Sequence, residues 1–342
     1  MSQTEITEPV SDLGDKGRPF NFGWARSPVL ALDPALFGTA RQKVSSGDRY
    51  ILLSPSYSVL FEILDDGYLG YLCISVVSLK DNKCHAQSLM TPFPLGTFDL
   101  PKESEASSIK FKQKKANVNF ACMEGGVRII KVDFPDFGPR GESLVGQVVL
   151  SPPEGAESLV TNMPWRGDKK AFSYSRKSPW YFAEGVIQFG TNELIFTKGD
   201  GWGIFDWSRG VRPRSDLRLW AAACGQAGDH QAAFSVGHNT ADSSLGTENA
   251  FFLDGKLHKL DLVSFNIAAG RLEPWRFTSS DSRLEMIFTP QQERDENHQM
   301  FFYSLKRRQL FGTFSGRAIL DDGSEFAFQD LPGMAERRKS RF

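Results

Sequence analysis

From Tyr50 almost to the end of the chain, short apolar runs alternate with polar positions and stop at Gly, Asp or Asn. That spacing predicts strands rather than helices. Val59-Leu-Phe-Glu-Ile-Leu64 runs into Asp65-Asp-Gly67, Val118-Asn-Phe-Ala-Cys122 is followed by Glu124-Gly-Gly126, and Ala250-Phe-Phe-Leu253 runs into Asp254-Gly255. Asp-Gly and Gly-Gly supply the positive φ of tight hairpins. The pattern predicts an all-β chain of meandering antiparallel sheet, arranged as two barrels of roughly eight to ten strands that close their own edges.

The segment from Ser151-Pro-Pro-Glu-Gly155 to Pro164 combines Pro, Gly and charge, and it is expected to join two units, 1–155 and 156–342. A duplication is suggested by Gly146-Gln-Val-Val-Leu150 and Gly316-Arg-Ala-Ile-Leu320, each preceded by a related run, Val132-Asp-Phe-Pro135 and Ile287-Phe-Thr-Pro290. Arg18 to Pro28 carries Pro at both ends and reads as an ordered extended segment. The basic stretch Arg337-Arg-Lys-Ser-Arg341 reads as a solvated terminus.

Composition narrows the function. Across 342 residues, 40 basic and 41 acidic side chains nearly cancel, which leaves no field for gathering phosphates and argues against nucleic acid as a partner. The longest apolar stretch, Tyr68 to Val77, is about half of the ~20 residues that cross a bilayer, so no transmembrane segment is expected. The N-terminus has acids where a signal peptide has bases, and a cytoplasmic location follows. The 4 cysteines then read as thiols; they form no C-x-x-C, the 5 histidines form no H-x-x-x-H, and no metal site is expected. No phosphate-binding loop, dinucleotide fingerprint or nucleophile elbow is present, so no cofactor is expected either.

The densest concentration of chemistry is Gly201-Trp-Gly-Ile-Phe-Asp-Trp-Ser-Arg-Gly-Val-Arg-Pro-Arg214, read as polar and aromatic residues interleaved around a turn. Asp206 and Arg209 are expected to form a charge-assisted pair in a partly dry cavity, or else a structural clamp closing a barrel end. His238, after Gly237 at the end of a strand-like run, is the candidate proton carrier, because an imidazole titrates near neutrality. Asp206, Arg209 and His238 are thus the candidate catalytic residues. Arg26, Trp207, Trp220, Asn239 and Glu248 are the candidate ligand-binding residues, with core filling as the plain alternative for the two tryptophans. Lys177 is a further candidate.

These same residues carry a family resemblance over nearly the whole chain. Asn21-Phe-Gly-Trp-Ala-Arg-Ser-Pro28, the Phe-x-Tyr-x-x-Lys of Phe172 to Lys177, Ala183-Glu-Gly185, Asp206-Trp-Ser-Arg-Gly210, Trp220, Thr247-Glu-Asn249, Asp254-Gly-Lys-Leu-His258 and Phe314-Ser-Gly316 together resemble a bacterial family known as domain of unknown function 2804. More distantly the chain is similar to the double-calycin proteins that include carotenoid 1,2-hydratase and related cyclases, which implies two lipocalin-like barrels packed together. Those enzymes have Asp-His-Asn-Trp-Gly where this chain has Asp206-Trp-Ser-Arg-Gly210, so their proton-handling His is missing here and His238 is a substitute rather than a match.

The resemblance implies a hydrophobic small molecule, isoprenoid or acyl, bound in a cavity walled by many of the 28 Phe. Addition, isomerisation or cyclisation by acid-base chemistry would follow, since a desolvated acid protonates an alkene. The alternatives are a carbohydrate-active enzyme, a glycoside hydrolase or lyase using Asp206 with Glu248, and a non-catalytic lipid carrier. The sequence leaves the oligomeric state open.

Overall fold

A computed structural model describes residues 3–9, 21–29, 37, 39–105, 108–300 and 303–341. The part of the Arg18–Pro28 segment before Asn21 lies outside the described residues. The chain is almost entirely strand: two curled antiparallel sheets, lipocalin-like half-barrels, packed against each other. The first holds β1 (Gly23–Ala25), β2 (Val44–Leu53), β3 (Tyr57–Asp65), β4 (Leu69–Ser78), β5 (Lys83–Pro92), β6 (Ile109–Gln113), β7 (Ala116–Cys122), β8 (Arg128–Phe134), β9 (Leu144–Ser151), β10 (Leu159–Trp165), β11 (Asp168–Phe189), β12 (Asn192–Phe196) and β13 (Trp202–Val211). The second holds β14 (Ser215–Ala227), β15 (His230–His238), β16 (Ala250–Leu253), β17 (Lys256–Lys259), β18 (Val263–Asn266), β19 (Trp275–Ser279), β20 (Leu284–Met300), β21 (Tyr303–Ile319) and β22 (Glu325–Arg341).

The two sheets repeat one topology. In the first, the meander β2-β3-β4-β5 is followed by β6-β7-β8-β9-β11-β13, whose last strand returns to pair with β2. In the second, β14-β15-β16-β17 is followed by β18-β19-β20-β21-β22, whose last strand returns to pair with β14. The related sequences at Gly146 and Gly316 fall on β9 and β21, the fourth strand of the second run in each sheet. Both glycines are required by crowding. A Cβ on Gly146 would lie 2.2 Å from the Val186 carbonyl oxygen, and one on Gly316 would lie 2.2 Å from that of Glu285.

The chain changes sheet at residues 212–214. The Pro- and Gly-rich stretch expected to join two units at 155/156 is instead a loop within the first sheet, leaving β9 and returning as β10, which pairs with β11. Arg337–Arg341 is likewise no loose tail: it is the end of β22, hydrogen-bonded between β14 and β21.

Strand periodicity divides the core. Along β14, Trp220, Ala222 and Cys224 join the core of the first sheet, whereas Ala221 and Ala223 belong to that of the second. Phe252 and Phe251 split the same way. Strands buried on both faces leave little room for charge, yet charged side chains occupy this seam. No helix among the described residues is long and apolar enough to cross a membrane.

Candidate functional site

Four strands of the first sheet place alternating charges directly opposite one another. Lys177 on β11 pairs in register with Asp206 on β13, Asp206 with Arg49 on β2, and Arg49 with Glu62 on β3. Opposite charges at facing positions stabilise a sheet. This row faces the second sheet, which answers it with Arg218, Glu248, Arg307 and Glu336. The cross-sheet contacts form two clusters.

At one end the groups are fully bonded. Glu62 accepts from Arg49 Nη2 at 2.7 Å and from Arg307 Nη1. Glu336 lies 3.3 Å from Arg49 Nη2 and accepts from Gln309 Nε2 at 2.8 Å. Arg307 Nε donates to Glu296 at 2.9 Å. Burial raises the Glu62 carboxyl, but the Arg307 and Arg49 guanidiniums outweigh it and hold the group well below the usual carboxylate range.

At the other end the bonding is looser. Lys177 Nζ donates to Asp206 Oδ1, but Arg218 Nη2 stands 3.9 Å from Asp206 Oδ2 and 3.4 Å from Glu248 Oε2, and Arg49 Nη1 stands 4.0 Å from Asp206 Oδ2. Arg218 Nε and Arg49 Nη1 are buried without a hydrogen-bond partner among the described residues. Glu248 accepts from Ser175 Oγ at 3.1 Å. Burial raises the Asp206 carboxyl and Lys177, Arg218 and Arg49 lower it further than burial raises it. Glu248 is lowered on balance in the same way, by Arg218 and Lys177 against burial. Both acids are therefore ionised near neutrality. Burial depresses the Lys177 ammonium despite Asp206 beside it.

Beside this end lies a cavity of about 80 Å3 between the sheets, with Trp165, Phe172, Arg209, Arg218, Asn239 and Glu248 among its walls. It has room for ordered water or a small polar group, less than the ~300 Å3 at the lower end of drug-sized sites. Gly210 also lines it, and a Cβ there would sit 2.3 Å from the Phe172 carbonyl oxygen, so the close approach of β13 to β11 requires glycine.

The expected Asp206–Arg209 pair does not form. The segment Trp202–Val211 is continuous strand, not a turn, so residues three apart point to opposite faces. Arg209 turns into the first barrel, where Nη1 lies 2.8 Å from Asp48 Oδ1, both side chains being fully buried, and its guanidinium stacks over Trp207. It also donates to the carbonyls of Pro101 and Gly47. Trp207 and Trp220 are buried in the core; Trp220 Nε1 donates to Ser235 Oγ at 3.1 Å and its ring lies under Arg49.

Asn239 and Glu248 meet at the cavity, and His238 joins them around a smaller recess of about 20 Å3. The His238 side chain is exposed, at the end of β15. Arg26 lies elsewhere, bridging Glu5 and Glu157 and donating to the Leu257 carbonyl. Lys177, Arg218, Arg49 and Glu62 complete the site. Glu62 carried one visible signal, a charge inside an apolar strand run. Among the described residues, no group of three His, Cys, Asp or Glu side chains is placed to hold a metal ion.

Two curled antiparallel half-barrel sheets meeting at a charged seam give the chain a double-barrel fold. The chain belongs to the family described as domain of unknown function 2804, whose profile matches residues 3–342. Among solved structures it is similar to CghA with Sch210972, at 10% identity and a TM-score of 0.55 over 88% of this chain and 89% of that one. It is similar to CghA alone at 11% identity and a TM-score of 0.56, over the same shares. It also matches kievitone hydratase from Nectria haematococca at 9% identity and a TM-score of 0.47, over 87% of this chain and 88% of that one. A search of curated proteins finds no match.

Proposed function

We propose that the chain binds a small molecule at the seam between its sheets and performs hydration, isomerisation or cyclisation on it by acid-base chemistry. The observation that carries this reading is the pairing of an ionised Glu248 with an under-bonded Arg218 on the wall of the inter-sheet cavity. Glu248 takes a proton, from the ligand in isomerisation or from the adding water in hydration, and returns it to a carbon of the ligand, while Arg218 stabilises the oxyanion that develops on a carbonyl presented to it. Asp206 is a positioning residue: held ionised by Lys177, it is not the neutral acid that alkene protonation needs, and it fixes Arg218 by charge. The CghA structures lend the fold; the reaction class is read from this seam.

The cavity's charged wall and small volume favour a ligand that brings a small polar group to Arg218 over a bare hydrocarbon. Trp207 and Trp220 offer no exposed face for stacking a sugar, which counts against the carbohydrate alternative. The test is incubation with a panel of small enones and unsaturated acids in water enriched in heavy oxygen, with mass spectrometry of the products. Label uptake by wild type that falls at least tenfold in Glu248→Gln supports the assignment. Ligand binding without turnover by any panel member leaves a carrier and overturns it.

A further inference from the structure

A second cavity, of about 450 Å3, opens at the mouth of the first barrel. Its walls are the Met123–Gly126 turn, the 152–156 loop, and the stretch of β11 where the register with β13 shifts between Ser178 and Tyr181. Pro179 lies in that shift, and the bulge sets Trp180 and Tyr181 on the cavity wall. Two arginines share the wall, and their surroundings differ from those of every buried arginine in the seam.

Arg128 is 1% exposed and begins the inward-facing row Arg128, Ile130, Val132 and Phe134 of β8. Its Nε donates to the Tyr181 hydroxyl at 3.1 Å, Nη1 to the Tyr50 hydroxyl at 3.2 Å, and Nη2 to the Ser104 carbonyl. Its guanidinium lies 3.7 Å from the Phe205 ring centroid. Every one of these partners is neutral. Arg176 donates to Ser158 Oγ at 3.0 Å and Ser104 Oγ at 3.2 Å; its ion-pair partner Glu105 stands 3.9 Å away with a side chain 64% exposed. Burial depresses the Arg176 guanidinium, and the charge of Arg128 adds to the effect. By contrast, Arg49 and Arg307 in the seam, and Arg209 inside the first barrel, each have a buried carboxylate.

A buried cation without a counter-ion carries an unrelieved desolvation cost, and an anion placed beside it relieves that cost. We infer that this mouth is a binding site for a small organic carboxylate, whose charge is met by Arg176 and Arg128 and whose body packs on Trp180 and Tyr181. The volume lies within the range of small-molecule sites. Guanidinium groups present paired donors to a carboxylate, and the aromatic wall favours a ring-bearing acid over a bare inorganic anion. Glu105 and Glu124 also line the cavity, and their negative charge opposes an entering anion, so binding rests on the two guanidiniums outweighing them.

The experiment is calorimetric titration of the full chain with sodium phenylacetate, acetate and phosphate at fixed ionic strength, backed by thermal shift. Saturable binding of phenylacetate, tighter than acetate, that weakens at least tenfold in Arg176→Gln and persists in Arg218→Met supports the site. Arg176 is the variant of choice because it is less enclosed than Arg128; an unchanged melting temperature for ligand-free Arg176→Gln confirms the fold. Absence of saturable phenylacetate binding, equal binding in Arg176→Gln, or a response to phosphate alone overturns the inference. Loss of binding in Arg218→Met with retention in Arg176→Gln also overturns it, by moving the anion to the seam.

Discussion

The two charge clusters of the seam occupy the same row of the same sheet, yet one is bonded out and the other is not. Around Glu62 each oxygen has a guanidinium partner, and Gln309 fills the remaining place on Glu336. Around Asp206 two buried guanidinium nitrogens lack partners and the guanidinium contacts lengthen to 3.9 and 4.0 Å. A fully satisfied buried network fixes how two surfaces meet; a partly satisfied one retains interaction energy that a ligand can take up. The cavity lies at the second cluster, so the first reads as a fastener between the barrels and the second as the place for the chemistry proposed above.

The most severe test of that contrast is Glu62→Gln. It leaves Arg49 and Arg307 buried without their shared carboxylate, and removing one partner of a buried pair costs about 3–5 kcal/mol. Urea unfolding should show this loss; a change under about 1 kcal/mol would dissolve the distinction between the clusters. Arg218→Met, acting where contacts are already long, should cost less, about 1–2 kcal/mol, and should remove any stabilisation by seam ligands.

Acid unfolding sharpens the comparison. Glu62, Glu296, Glu336, Asp206 and Glu248 are all lowered in the folded state. Groups with depressed folded values contribute stability that is complete above the unfolded carboxylate range of about 4 and is lost as pH falls through the folded values. These five carboxyls should therefore make stability fall steeply below about pH 4. Glu62→Gln should flatten that acid limb more than Glu248→Gln, because its carboxyl is the more strongly depressed of the two. Equal flattening would mean that the open cluster stores as much charge energy as the closed one.

The fold was legible because hairpin punctuation and period-two alternation are local, and the Gly146 and Gly316 echo marks equivalent strands in the two sheets. The site was legible only in part. Asp206, Glu248 and Asn239 stood out by composition, and Glu62 was visible as a charge inside Val59–Leu64. Lys177 was a further candidate, but its pairing, like Arg49 itself, was hidden because register, which is non-local, sets Lys177 against Asp206 and Asp206 against Arg49. The Asp206–Arg209 pairing failed for a local reason: a spacing of three joins side chains around a turn and separates them along a strand. The Pro-Pro at Pro152 drew the domain joint to a loop, while the passage between sheets is the short Arg212-Pro-Arg214.

The smallest expected effect belongs to His238→Ala. The side chain is exposed at the end of β15 and has no hydrogen-bond or ion-pair partner among the described residues, so stability should change by less than about 0.5 kcal/mol. Its interest lies in the recess it shares with Glu248 and Asn239, through which, on the proposed reading, a proton taken by Glu248 would pass toward water. If His238 is that relay, the alanine variant keeps ligand binding and loses turnover mainly at high solvent viscosity or low buffer concentration, and added imidazole restores the rate. If turnover is indifferent to the substitution and to imidazole, Glu248 exchanges its proton directly with water, and the open cluster differs from the closed one through Arg218 and Glu248 alone.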